Sequence, residues 1–385
     1  MIKSIRILLS IATFYDYKIW QMDVKIVFLN ENLEESIYMV QPEGFIQKGQ
    51  EQKVCKLQKS IYGLKQASRS WNIKFDTAIK SYGFEQNVDE PCVYKRIINS
   101  TVAFLGLYID DILLIGNDVG HLTDIKKWLT TQFQMKDLEN AQYVLGIQIV
   151  RNRKNKTLAM SQTSYIVKML SRYKIQNSKK GLLPYRYKIH LLKEQCPKTP
   201  QEVEDMSNIP YAFAVGSLMY AMLCTKPDIC YSLGIVSRYQ FNPGRDHWTV
   251  VKNILKYLRR TKDYMLVYGY KDLILTGYTD SDFQTDKDAR KSTSGSVFTL
   301  NEGAVVGRSI KQSCIADSTM EVEYVAACEA AKEAVYGLKS SQQIWKLFQI
   351  WICQLPYTVT IVVQLQIHEN LEVINKKSTL NESTI

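Results

Sequence analysis

The stretch Thr101-Val-Ala-Phe-Leu-Gly-Leu-Tyr-Ile-Asp110-Asp111-Ile-Leu-Leu-Ile-Gly116 decides how the rest of the chain is read. Apolar runs flank two adjacent aspartates on both sides, and runs of this composition make core strands. The pair therefore interrupts a hairpin whose arms belong in a hydrophobic interior. No Lys or Arg lies within the stretch. Desolvating an unpaired carboxylate costs several kcal/mol, so either the pair sits at a solvated turn or a cation compensates it. A hard divalent ion, magnesium or manganese, takes carboxylate oxygens and is the economical compensation.

A third acid strengthens that reading. Asp23 ends the run Ile19-Trp-Gln-Met22 and is followed by Val24-Lys-Ile-Val-Phe-Leu29, a second strand-like segment with an embedded carboxylate. Two-metal phosphoryl transfer needs carboxylates from separate strands converging on ions about 3.5–4 Å apart.

The totals agree with a polyanionic partner. The 385-residue chain carries 49 Lys and Arg against 38 Asp and Glu, a formal charge of +11, and it also has 24 tyrosines. Basic residues mixed with aromatics suit backbone neutralisation together with base stacking. The length allows two or three domains. Eight cysteines show no CxxC pair and no metal-ligand spacing with the four histidines, which argues against zinc and for free thiols in a reducing compartment. Met1 to Tyr15 imitates a signal peptide but lacks a small-residue cleavage site, so an ordinary core helix is expected there. No apolar run reaches the roughly 18 residues of a membrane span. A cytoplasmic or nuclear location is expected rather than secretion or a membrane.

Periodicity places the remaining elements. Trp71, Phe75 and Ile79 at four-residue spacing make Ser60 to Ser81 an amphipathic helix. Residues 176–210, polar and broken by Pro184, Pro197, Pro200 and Pro210, read as a linker or loose connection. Asp246 is the expected N-cap of a helix through Thr261, with Val251, Ile254, Leu255 and Leu258 as its apolar stripe and Lys252, Lys256 and Arg259 on the opposite face. That basic face either tracks phosphates or is plain solvated surface. From Leu273 the pattern turns to strands. A long alanine-rich helix opens near Ser318, where Ser318-Thr-Met-Glu321 forms a capping box. Glu321 is thereby committed to the cap, whereas Glu323 shares a face with Ala326, Ala327, Ala330 and Ala334 that packs closely on a sheet. Glu323 is the better metal-ligand candidate, to be paired with Asp280.

Several motifs resemble one known family. Gln21-Met-Asp-Val-Lys-Ile-Val-Phe-Leu-Asn30, Glu34-Glu-Ser-Ile-Tyr-Met-Val-Gln-Pro-Glu-Gly-Phe45, Leu57-Gln-Lys-Ser-Ile-Tyr-Gly-Leu-Lys-Gln-Ala-Ser-Arg-Ser-Trp71 and Leu107-Tyr-Ile-Asp-Asp-Ile-Leu-Leu-Ile-Gly116 are similar to the reverse transcriptase of copia-type LTR retrotransposons. Val215-Gly-Ser-Leu-Met-Tyr220, Thr225-Lys-Pro-Asp228 and Lys256-Tyr-Leu-Arg259 match the same polyprotein, in order, to about residue 335. The resemblance implies that Asp23 and Asp110 are metal ligands and Asp111 a second, less directly coordinated hairpin acid. It implies that Phe28 is the aromatic gate against a ribose 2′-OH, that Gln66 contacts the incoming nucleotide, and that Lys65 and Arg69 add charge for its phosphates. Taken singly, Phe28 reads as core and Lys65 and Arg69 as surface.

Gly277-Tyr-Thr-Asp-Ser-Asp-Phe283, Lys291-Ser-Thr-Ser-Gly295 and Glu321-Val-Glu-Tyr-Val-Ala-Ala327 resemble the ribonuclease H domain that follows these polymerases. Asp280 and Glu323 match the first two acids of its two-metal site. The family usually has Trp near Gly307 and an aromatic at Ser296. Its third acid, in a Tyr-Cys-Asp-Asn motif, has no counterpart here; Pro356-Tyr-Thr-Val-Thr-Ile-Val-Val363 fits an out-of-frame reading of that segment. Residues from about 336 onward are therefore expected to be frameshifted and ribonuclease H activity to be absent. Further N-terminal fingers residues are expected ahead of Met1.

The resulting expectation is an α+β fold: a reverse transcriptase palm with partial fingers (1–175), a connecting helical, thumb-like region (176–270), an incomplete ribonuclease-H-like α/β domain (271–335) and the tail (336–385). The function expected is RNA-directed DNA polymerisation from dNTPs on a primed RNA or DNA template, with an RNA–DNA hybrid as product and with Mg²⁺ or Mn²⁺. The rivals are a decayed element without turnover and a basic module that binds nucleic acid without chemistry. Oligomeric state is not readable from the sequence.

Overall fold

The computed structural model describes residues 2–25, 35–46, 48–88, 90–186, 189–269, 273–334 and the backbone of 360–363. Phe28 and the remainder of the proposed out-of-frame tail lie outside the described residues. The chain divides into two compact units. One is residues 17–141; the other joins residues 1–16 to the chain from Gln142 onward. Helix and sheet are mixed in both, consistent with an α+β protein.

The second unit begins with α1 (Ile2–Phe14), which is buried from Ser4 through Thr13, the core helix expected of its apolar run. Arg6 is buried within it and donates to the carbonyls of Leu223, Val305 and Cys224 at 2.5, 3.1 and 3.3 Å. Buried cations need such partners.

In the unit 17–141 the strands are β1 (Lys18–Val24), β2 (Tyr38–Val40), β3 (Val54–Lys56), β4 (Glu85–Gln86), β5 (Val93–Ile98), β6 (Thr101–Tyr108), β7 (Asp111–Gly116) and β8 (Met135–Asn140), with helices α2 (Lys65–Ser81) and α3 (Val119–Gln132). Six strands form an antiparallel sheet in the order β4-β5-β6-β7-β1-β8, and β2 and β3 pair separately. The apolar runs either side of the acid pair are thus central strands, buried on both faces. Met22 and Val24 join Leu105, Leu107, Ile112 and Leu114 in a core with Trp71, Phe75 and Ile79 of α2. The helical stripe is as the spacing predicts, but α2 starts at Lys65, because Leu64 is extended.

The other unit continues through β9 (Tyr143–Val144), β10 (Ile147–Asn152), β11 (Thr157–Ser161), α4 (Thr163–Arg172), α5 (Pro200–Ser207), α6 (Tyr211–Cys224), α7 (Cys230–Val236), α8 (Arg245–Thr261) and β12 (Leu266–Tyr268). It ends in β13 (Leu275–Asp286), β14 (Lys291–Leu300), β15 (Gly303–Lys311), α9 (Thr319–Lys332) and β16 (Thr360–Val363). Strands β12-β11-β10-β9 form one sheet and β15-β14-β13-β16 another, the last pair parallel. Helices α4, α6, α7 and α8 share a core in which Val251, Ile254, Leu255 and Leu258 are fully buried.

Two expectations about this unit need correction. The N-cap of α8 is Gly244 rather than Asp246, because the Gly244 N–H donates to His247 Nδ1 at 2.8 Å and closes the first turn. The proline-broken stretch 176–210 contains a real helix, α5, started by a reciprocal Thr199–Glu202 capping box with Pro200 in the first turn. The basic face of α8 is partly covered: Gly181 N–H donates to the Lys256 carbonyl at 2.9 Å, and Arg259 donates to that of Ser178.

Candidate active site

The acid pair sits at the tip of the β6–β7 hairpin. Tyr108 faces Asp111 across the ladder, so Ile109 and Asp110 form a two-residue connection. Ile109 takes φ 55° while Asp110 keeps a negative φ, the pattern of a type II′ turn, whose first position favours glycine. A β-branched residue there is strained, and such strain persists only where the surroundings hold it. Three hydrogen bonds do the holding. Val24 N–H donates to the Asp110 carbonyl at 3.0 Å. The Trp71 indole N–H donates to the Ile109 carbonyl at 2.7 Å. Gln21 Nε2 donates to Asp111 Oδ1 at 2.8 Å.

Strand β1 brings the third acid. Asp23 is the register partner of Asp111, so the two carboxylates project from one face of the sheet, with Gln21 two residues along on that face. Burial and the charge of Asp110 push the Asp23 carboxyl above the usual carboxylate range, against Lys136 and Lys25, which pull it down. Lys136 is the register partner of Asp23 on β8. The hairpin segment lacks a cation of its own, but the neighbouring strand supplies one. Among the described residues no three Asp, Glu, His or Cys side chains are gathered closely enough to hold a metal ion. All three acids lie together at one sheet end, with the Asp111 carboxylate engaged by Gln21. The donor set still fits a divalent cation. Two like charges within electrostatic reach of each other call for one, and magnesium is commonly held by one or two carboxylates, with substrate phosphate supplying the rest.

The N-terminal turn of α2 has no side-chain cap, and Lys65, Gln66 and Arg69 stand exposed on it; Gln66 Nε2 lies 3.3 Å from Glu35 Oε2. Uncapped helix N–H groups with basic side chains suit anions.

Asp280 and Glu323 meet in the other unit. Asp280 lies on β13 and Glu323 on α9, which packs on β13 and β14. Burial raises the Glu323 carboxyl, a Ser281 hydroxyl bond partly offsets this, and Asp280 adds to it. Asp280 is raised by burial and by Asp282, against the Ser281 N–H that donates to it at 2.9 Å. Glu323 Oε2 and Asp282 Oδ2 are buried without a hydrogen-bond partner, orphaned oxygens that a cation would satisfy. A cavity of about 810 Å³ opens beside Glu323 and is also lined by Tyr185, Tyr231, Arg238 and Asp282. Glu321 is taken up by the helix start, but not in the expected reciprocal box: its N–H donates to Ser318 Oγ at 3.2 Å, while its carboxylate accepts at 2.9 Å from the N–H of Asp317, one residue before the cap.

A family described as reverse transcriptase (RNA-dependent DNA polymerase) matches residues 1–186. The transposon Ty5-1 protein of Saccharomyces cerevisiae is 31% identical over 315 residues, which are 81% of this chain and 100% of that protein. The chain belongs to the copia-like reverse transcriptases of retrotransposons. The retrovirus-related Pol polyprotein from transposon TNT 1-94 of Nicotiana tabacum is 46% identical over 342 residues, 89% of this chain. That from transposon RE2 of Arabidopsis thaliana is 32% identical over 331 residues, 86% of the chain. This reverse transcriptase chain spans about a quarter of the length of those two polyproteins, 26% and 22%.

Sequence reasoning about this reverse transcriptase passed over three groups at the hairpin. Trp71 reads as core by its spacing, which it is, but a buried indole N–H also needs an acceptor, and that was the available signal. Gln21 is a polar residue two positions before Asp23 in an apolar strand, hence on the same face. Lys136 carries no local signal, because only sheet order brings β8 beside β1.

Proposed function

We propose that the chain is the RNA-directed DNA polymerase part of a copia-type retrotransposon, adding dNTPs to a primed RNA or DNA template. The observation that carries this reading is the placement of Asp23 opposite Asp111, with Asp110 in the adjoining turn, at one end of a buried antiparallel sheet. In this reading residues 1–175 supply palm and partial fingers, with the acids in the unit 17–141. Asp23 and Asp110 would hold Mg²⁺ or Mn²⁺, with Asp111 beside them. Such an ion, when bound, supplies Lewis acidity at the phosphate and lowers the pKa of an attacking hydroxyl.

The chain's own residues do the rest. Lys65, Arg69 and the uncapped start of α2 bind the nucleotide's phosphates. Gln66 contacts the nucleotide, and Phe28 excludes a 2′-hydroxyl by its bulk. Lys25 and Lys136 temper the repulsion among the carboxylates. Primer extension on poly(rA)·oligo(dT) with dTTP is the test. Salt-sensitive binding without incorporation would leave only the nucleic-acid-binding reading.

The segment 271–335 is read as a ribonuclease-H-like layer that contacts an RNA–DNA hybrid without hydrolysing it. Asp280 and Glu323 suit a cation, but no Asp follows Asp317 in the chain, and β16, the strand parallel to β13, contains no carboxylate. Release of fragments from a labelled hybrid by the purified chain would overturn this.

A further inference from the structure

We infer that Trp71 and Gln21 are positioning residues that clamp the Asp110–Asp111 turn from the two faces of the sheet. This rests on the polymerase reading for its consequence but not for its geometry. Trp71 stands on the helical side: its ring is packed between Phe75 and Phe133, with centroids 5.4 and 5.2 Å away. That packing fixes the indole while its N–H reaches the Ile109 carbonyl at 2.7 Å. Gln21 stands on the opposite side, 5% exposed, and holds Asp111 at 2.8 Å.

The need for two clamps follows from the turn. Ile109 at φ 55° pulls toward ordinary backbone, and Asp110 is repelled by Asp23 through space. Left to itself the tip would open, moving Asp110 away from Asp23. The Trp71 bond removes the first freedom by fixing the strained peptide. The Gln21 bond removes the second by fixing the side chain that follows the turn. A carboxylate pair held before any cation arrives spends less binding free energy on ordering itself. Trp71 therefore links the α2 segment bearing Lys65, Gln66 and Arg69 to the acids, so that nucleotide and cation sites keep a fixed spacing.

The experiment uses the full chain with Trp71→Phe, which keeps most of the ring and removes the N–H, and Gln21→Met, which keeps volume and removes the donor. Trp128→Phe, on α3 with its ring against Tyr82, is the control. Three readouts are needed. Hydrogen exchange at the Val24 amide, whose acceptor is the Asp110 carbonyl, reports the turn directly; it speeds by at least about fivefold in both variants and not in the control. Mn²⁺ binding by the free protein, counted by electron paramagnetic resonance, weakens by roughly tenfold. Primer extension falls through kcat more than through the dNTP KM. Far-UV circular dichroism and the melting temperature of each variant exclude general unfolding. Unchanged Val24 exchange in both variants overturns the inference whatever the activities show. A wild type that neither binds Mn²⁺ nor extends a primer sinks the polymerase reading, and Val24 exchange still decides the clamp.

Discussion

Asp110 has two opposed effects on this chain, and one substitution separates them. Its charge raises the Asp23 carboxyl, so the pair is a source of repulsion until a cation arrives. Asp110→Asn removes one ligand charge while keeping shape. On the proposed polymerase reading, in which Asp110 holds the cation, primer extension is expected to fall by at least roughly a hundredfold, since the site would keep its form and lose a ligand. Thermal melting, in contrast, should stay level or rise slightly, because the repulsion goes too. Ile109 also costs stability, but through its backbone. Its side chain is half exposed and contributes little burial, while its backbone at φ 55° is costly for a β-branched residue. Ile109→Gly should stabilise the unit 17–141 by up to about 1 kcal/mol in urea titrations, the relieved strain being partly offset by unfolded-chain entropy. The acids themselves were legible in the sequence because carboxylates in apolar strands demand an explanation. The strain at Ile109 was not, because Tyr-Ile-Asp-Asp lacks the glycine that usually marks such a turn.

Among the elements, α8 offers a pH test. His247 is fully buried, stacks on Tyr239 with centroids 4.0 Å apart, and accepts the Gly244 N–H on Nδ1. Burial lowers its pKa first of all, with Asp246, Leu192 and Asp288 acting the other way. Only the neutral ring can accept that N–H, so the folded state resists a proton that the unfolded chain takes up at about pH 6.5. Stability from this group is present above that value and is lost as pH falls through the folded-state pKa. In His247→Gln, whose side-chain oxygen can still accept, the term is absent. The stability gap between wild type and this variant, measured by urea titration, should be widest above pH 7 and close as pH falls toward 5. The glycine at 244 is as constrained: a Cβ there would strike the Gln195 carbonyl oxygen. Of α8, the stripe Val251, Ile254, Leu255 and Leu258 follows from periodicity alone. Its start does not, because a histidine accepting a backbone N–H three residues back lies outside the usual capping residues.

At the scale of the molecule, each unit carries its own core, and destabilisation should be readable unit by unit. Phe75 is fully buried against Trp71, Tyr94 and Phe133, all within residues 17–141. Phe75→Ala should cost about 3–5 kcal/mol and appear as faster hydrogen exchange in β5, β6 and β7. Leu255→Ala should cost about 2–5 kcal/mol and appear in α4, α6 and α7, with which it shares a core. The sequence by itself determined the family, the buried hairpin and the apolar faces of α2, α8 and α9, and it singled out the acids at 23, 110, 111, 280 and 323 as candidates, because hydrophobic period and misplaced charge are local signals. Only the tertiary structure decided that β1 lies between β7 and β8, which sets Asp23 opposite Asp111 and beside Lys136. It alone aimed the Trp71 indole at a strained carbonyl and returned α1 to the unit that begins again at Gln142. Those facts depend on contacts between residues distant in the chain, whose partners no local pattern names.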